Sequence, residues 1–157
     1  LNEDSVVLDI GGFEGEWASG ISLKYQCNIF VFEPVKEFFD VIKERFKDQD
    51  KVRIYNYGLG AKYETISIGV SGSGTSVFDK GGEQIEIKDI LPIINRFEHI
   101  IKEGAQTKLI NIQIQFHIIE DYENRRRNIR ELLSKTHHLT YDFPVGLHEN
   151  WELNNYI

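Results

Sequence analysis

One cysteine, Cys27, in 157 residues excludes an internal disulfide and any zinc site built on cysteine. A reducing compartment, the cytoplasm, is the expectation. No apolar stretch is long enough to span a bilayer, and no signal peptide is visible. The chain opens at Leu1 rather than Met, so loss of an N-terminal segment is expected. Positive charge is also scarce: 18 Lys and Arg against 25 Asp and Glu give a net charge of -7. That balance argues against nucleic acid or an anionic membrane as partner, because neutralising phosphate needs Lys and Arg clusters. The one basic cluster, Arg125-Arg126-Arg127 with Arg130, reads as a solvated helix face whose opposite charges lie three or four residues away.

Hydrophobic content of 41% is ordinary for a globular chain, and the length suits a single domain over residues 1–157. No internal repeat or interdomain linker is present. Strands and helices alternate, the sign of parallel βαβ units and an α/β class. Val6 to Ile10 reads as a strand buried on both faces, and Glu14 to Tyr25 as a helix with Trp17, Ala18, Ile21 and Tyr25 on one side. Asn28 to Phe32 is a second strand. Pro34 starts a helix striped by Phe38, Phe39, Ile42 and Phe46. Lys51 to Asn56 is a third strand, leaving through Gly58 and Gly60.

Beyond it, Thr65 to Val70 alternates as a half-exposed strand, and Ser71 to Ser76 reads as a flexible loop, either a lid or a hairpin connection. Gln84 to Ile87 is a short strand, with helical spacing from Ile90 to Ile101. Leu109 to Phe116 is a strand and Tyr122 to Lys135 an amphipathic helix. His138 to Tyr141 and Trp151 to Tyr156 read as an antiparallel pair at the sheet edge, with His137-His138 as a strand start rather than a metal pair.

Two strand ends carry chemistry. After Asp9, Gly11 and Gly12 let the backbone turn sharply and approach a ligand, and Gly15 permits close packing as the helix begins. A dinucleotide site wants G-x-G-x-x-G so that pyrophosphate can rest on the helix N-terminus. Here Phe13 and Glu16 occupy the third and sixth positions, and Glu14 adds a second acid. This disfavours NAD or FAD. The cofactor S-adenosyl-L-methionine has no phosphate and carries a sulfonium and an ammonium, which suit Asp9 with Glu14 or Glu16 nearby. Glu33, ending the second strand before Pro34, stands where a carboxylate can accept both ribose hydroxyls. Asn56, Tyr57, Gly58 and Leu59 after the third strand are placed to flank the adenine.

The segments Asp9 to Gly15, Phe32-Glu33-Pro34, Asn56 to Gly60 and the Ser/Thr-rich loop resemble the FkbM-type methyltransferases. The resemblance runs from about Val6 to Ile90 and resumes near Leu109. It implies a Rossmann-like class I methyltransferase fold, doubly wound with a mostly parallel sheet, using S-adenosyl-L-methionine. It further implies transfer to oxygen, on a sugar, glycan or other secondary-metabolite hydroxyl. One departure stands out. The family's fourth strand ends in an acidic, glycine-containing motif, whereas here Phe97 to Ile100 passes straight into Ile101 to Gly104. Either that central strand is lacking or a segment is missing near Ile100 and Ile101. The second is favoured, because an unpaired gap in the sheet would strand backbone groups.

His117, just past the Leu109 strand, is the expected base for the hydroxyl proton, by its place at the sheet's C-terminal edge and its pKa range. Glu120 and Asp121 read as capping residues before a metal pair, and no metal is expected. Two rival readings are a cofactor-binding module without chemistry and an NAD-dependent oxidoreductase.

Overall fold

The computed structural model describes residues 1–71, 74–76, 82–95, 109–115, 122–143 and 148–154. Elements follow in the order β1 (Val6–Ile10), α1 (Glu16–Tyr25), β2 (Asn28–Phe32), α2 (Lys36–Arg45), β3 (Val52–Tyr55), β4 (Gly58–Gly60), β5 (Glu64–Ser71), β6 (Gly74–Ser76) and β7 (Glu83–Asp89). A helical segment over 90–95, α3, comes next. Then follow β8 (Leu109–Gln115), α4 (Tyr122–Leu133), β9 (His137–Phe143) and β10 (His148–Leu153).

Six strands form the main sheet in the order β3-β2-β1-β8-β10-β9. The pairs β3/β2, β2/β1 and β1/β8 are parallel, while β10 runs antiparallel to both β8 and β9. Alternation within the strands sends side chains to two cores. Val7, Ile29, Val31 and Val52 face Ala18 of α1 and Ile42 of α2, with Trp17, Ile21 and Tyr25 at the margin. Val6, Leu8, Ile10, Phe30, Phe32, Ile112 and Ile114 face Ile90, Ile94, Ile129 and Leu133 on the opposite side. The sheet is therefore covered by helices on both faces, as the alternating sequence predicts. Cys27 is buried with its thiol free.

Several expectations are corrected. The unpaired gap expected from a lacking central strand does not arise, because β8 lies directly beside β1 and pairs with it from Val6 to Ile10. Backbone groups of β1 are thus satisfied on both edges. Positions 100 and 101 lie outside the described residues. Of the two readings of Ser71 to Ser76, the hairpin connection is the one observed: Ser71 pairs with Gly74 and Gly69 with Ser76, while residues 72 and 73 lie outside the described residues. The edge pair is present, but its second strand starts at His148 rather than Trp151. Helix α2 starts at Lys36, two residues past Pro34, because Val35 stays extended as the N-cap.

A second sheet, in the order β4-β7-β5-β6, was legible only in part. Strand β4 is Gly58–Gly60, glycines that score poorly as strand, and it pairs in parallel with β7. Leu59 roots this sheet in the main core. Among the described residues, no helix is long and apolar enough to cross a membrane.

The basic cluster is not a simple solvated face either. Arg126 and Arg130 both reach Glu149 on β10, at 2.5 and 2.8 Å, and Asp142 on β9, at 2.7 and 2.6 Å. Arg125 pairs with Glu64 of β5. Glu149 is fully buried and also accepts a hydrogen bond from Trp151 Nε1 at 3.0 Å. The acids thus come from distant strands, and α4 is riveted to the edge hairpin. Glu149→Ala is expected to lower the unfolding free energy by about 3 kcal/mol, since it leaves two guanidinium groups facing an emptied site. Asp142→Ala, at the wetter end, should cost less than about 1 kcal/mol. Urea titration of the two variants checks the contrast.

Candidate functional site

The site sits where β1 and β2 end side by side. Asp9 is opposite Val31 and Ile10 opposite Phe32, and the ladder continues as Gly11 N–H donates to Phe32 O at 2.9 Å. The chain then turns. Gly11 and Gly15 have φ of 84° and 78°, the left-handed region open to glycine. Gly12 is required for space: a Cβ there would stand 2.3 Å from Val31 Cγ1 and 3.2 Å from Ile42 Cδ1. Any side chain would push β2 or α2 away from the turn.

Phe13 is the unexpected member. Its φ is 49°, a conformation that costs a bulky residue on the order of 1–3 kcal/mol and persists only when its surroundings impose it. Two contacts do so. Its N–H donates to Glu33 Oε2 at 2.9 Å, and its ring packs on Phe38 with centroids 4.5 Å apart. Glu33 Oε1 accepts the N–H of Val35 at 2.8 Å. One carboxylate therefore clamps the β1–α1 turn to the start of α2, which is why the helix begins after Pro34. Each oxygen retains further acceptor capacity.

Asp9 and Glu33 are each 3% exposed, and among the described residues neither is paired with a Lys or Arg. Burial, then the charge of Glu33, pushes Asp9 up to about 7. Burial likewise raises Glu33 to about 7, against the pull of the Val35 and Phe13 N–H groups and with a smaller push from Glu83. Asp9 Oδ2 has no hydrogen-bond partner among the described residues, and it lies 3.7 Å from where a Cβ on Gly12 would be. An unpaired, buried carboxylate oxygen beside a second carboxylate has the electrostatics of a receptor for positive charge.

The third segment divides. Asn56 Nδ2 donates to Glu33 O and Pro34 O, both at 3.1 Å, holding the turn that carries the acid. The Tyr57 ring lies 5.6 Å from Phe32 and beneath Lys88 Nζ. Gly58 is pressed against Ile87 and Pro34, and Leu59 is buried in the core. The structure thus gathers Asp9, Gly11, Gly12, Phe13, Gly15, Glu33, Pro34 and Asn56 at one edge, while Gly58 and Leu59 pack behind it. Glu16 is exposed at the first turn of α1, and Glu14 is half-buried. His117, Glu120 and Asp121 lie outside the described residues. Sequence reasoning missed Phe38, whose aromatic stripe assigned it only to the core. It also missed Glu83, which caps Lys36 N–H at 2.9 Å across 47 residues of chain and left no local signal.

No family model matches this chain, and no curated protein matches it. Solved structures do. A Clostridium thermocellum protein provisionally named an rRNA methylase aligns with a TM-score of 0.52 at 12% identity, over 98% of this chain and 91% of that one. A Streptococcus mutans protein provisionally named a methyltransferase, solved in complex with S-adenosylhomocysteine, aligns with a TM-score of 0.51 at 8% identity over the same shares. The architecture here, a mostly parallel sheet wrapped by helices on both faces, is a Rossmann-like α/β fold, shared with those two structures.

Proposed function

We propose that this chain is an S-adenosyl-L-methionine-dependent methyltransferase that acts on a hydroxyl oxygen of a sugar, glycan or small secondary metabolite, in the manner of the FkbM-type enzymes its motifs resemble. The observation that carries the reading is the unpaired Asp9 Oδ2, buried next to Glu33 beneath the glycine turn. The donor supplies an electrophilic methyl group on a sulfonium. It suits this cradle because it is cationic and free of phosphate, whereas a dinucleotide would set its pyrophosphate against two carboxylates.

Within this reading each residue has a task. Asp9 complements the positive end of the donor. Glu33 offers its remaining acceptor sites to the ribose hydroxyls. The backbone of Gly11, Gly12, Phe13 and Gly15 passes close beneath the methionine portion. Pro34 and Asn56 fix the Glu33 turn, Tyr57 borders the adenine, and Gly58 and Leu59 hold that wall from behind. His117, the base expected from the sequence, lies outside the described residues. A small uncharged acceptor is preferred to nucleic acid because of the net charge of -7.

Calorimetric titration with S-adenosylhomocysteine and with NAD tests the reading: the first should bind and the second should not, and the reverse outcome overturns it. Binding without methyl incorporation into any acceptor would support a module that has lost chemistry. Glu33→Gln is expected to weaken S-adenosylhomocysteine binding by roughly 1–3 kcal/mol; unchanged affinity removes Glu33 from the site.

The two acids also set a pH dependence. Their folded pKa values, near 7, exceed the ordinary values of 3.8 and 4.5, so the native state holds protons that the unfolded chain releases. Their stabilising contribution is present below about pH 4 and is lost as pH rises towards about 7. Binding of a cation requires the charged forms. The rise in Tm on adding S-adenosyl-L-methionine should therefore be larger at about pH 8 than at about pH 6, with protons released to the buffer on binding. A thermal shift that is larger at the lower pH would contradict the assignment.

A further inference from the structure

On the α1 side of the sheet, next to the glycine turn, lies a cavity of about 460 Å³ lined by Trp17, Gln113, Tyr141, His148 and Asn150. Its size is that of a small-ligand site. Register places it. Gln113 is the ladder partner of Asp9, so the cavity lies one strand over from that acid. Asn150 is opposite Gln113, and His148 is opposite Gln115 at the C-terminal edge of β8. Trp17 enters from the first turn of α1, immediately after Gly15.

The lining is unusual in what it leaves unpaired. Among the described residues, neither the Gln113 amide nor the His148 imidazole makes a hydrogen bond. Asn150 donates Nδ2 to Thr140 Oγ1 at 2.7 Å and accepts from that hydroxyl at its main-chain oxygen, while its side-chain Oδ1 has no hydrogen bond among the described residues. Half-buried polar groups without partners are what a polar ligand satisfies. Aromatic rings with two carboxamides suit a ring that offers a face to stack and hydroxyls to bind. Among the described residues no Lys or Arg lines the cavity, which favours an uncharged acceptor over a phosphorylated one.

Resting on the methyltransferase reading, we infer that this cavity holds the methyl acceptor, an uncharged polyhydroxylated ring compound, and that His148 takes the proton from the reacting hydroxyl. The hydroxyl oxygen forms a bond to the methyl carbon as the carbon–sulfur bond of the sulfonium donor breaks, and that electron pair remains on sulfur. The hydroxyl proton passes to the imidazole, which becomes imidazolium and later releases it to water. Burial holds the His148 pKa below its usual value, so the ring is neutral and ready to accept near neutral pH. Gln113 and Asn150 orient the ring through hydrogen bonds.

The test uses the full chain with a panel of methyl glycosides, the matching sugar phosphates and a short RNA. Transfer from labelled S-adenosyl-L-methionine is expected to a neutral glycoside only. Without donor, that glycoside should shift the side-chain amide NMR signals of Gln113 and Asn150. His148→Phe should lower kcat by roughly 100-fold, and Gln113→Leu should raise the acceptor KM about tenfold. Both should leave the S-adenosylhomocysteine Kd within about twofold, and His148→Gln serves if the Phe variant does not fold. Failure of the wild-type chain to bind S-adenosylhomocysteine sinks the methyltransferase reading itself. Donor binding with transfer to the phosphates or RNA alone, with transfer to nothing, or with both variants at wild-type kcat and KM, overturns the cavity assignment.

Discussion

The clamp made by Glu33 is the constraint on which the rest of the site depends. One carboxylate accepts N–H groups from Phe13 and Val35, residues 22 positions apart that belong to two different strand-to-helix connections. It fixes a bulky residue in a left-handed conformation and delays the start of α2. It does so from a buried position beside Asp9, whose ionisation burial and the charge of Glu33 both disfavour. Such an arrangement is poor for stability taken alone, because burial of acids without cations costs free energy. Its survival is understandable if the charge has a use, and a cationic ligand provides one.

Around this clamp, neighbouring elements work as a frame. Gly12 lets β2 and α2 close on the turn without a side chain between them. Asn56 ties the end of β3 to the Glu33–Pro34 turn, and Glu83 reaches over from the second sheet to cap Lys36. Three consecutive strand ends and one remote strand thereby meet at a single edge. On the other flank, buried Glu149 anchors α4 to the edge hairpin and steadies the strand that begins with His148.

Much of this was legible in the sequence because the signals are local. Val6 to Ile10 is apolar except for Asp9 and runs straight into Gly11-Gly12, and Phe32-Glu33-Pro34 marks a strand tip by composition alone. Pairing across the sheet was not local. That β8 would sit against β1, or that Arg126 and Arg130 would find Glu149 and Asp142, depends on register between segments far apart in the chain. Strand β4 was missed because its glycines are chosen for contact with Ile87, not for strand propensity. The place of His148 was illegible for a related reason: nothing nearby in the sequence shows that β10 pairs with the C-terminal end of β8.

Direct contact between β1 and β8 has a geometric corollary. Adjacent strands are about 4.8 Å apart, so a sheet without an intervening strand is narrower by that amount at its centre. Strand β10 of the edge hairpin is consequently only one strand removed from β1, and its side chains share a wall with Trp17. Widening the sheet by one strand would carry the β10 side chains a further strand spacing, about 4.8 Å, away from Trp17 and split that wall.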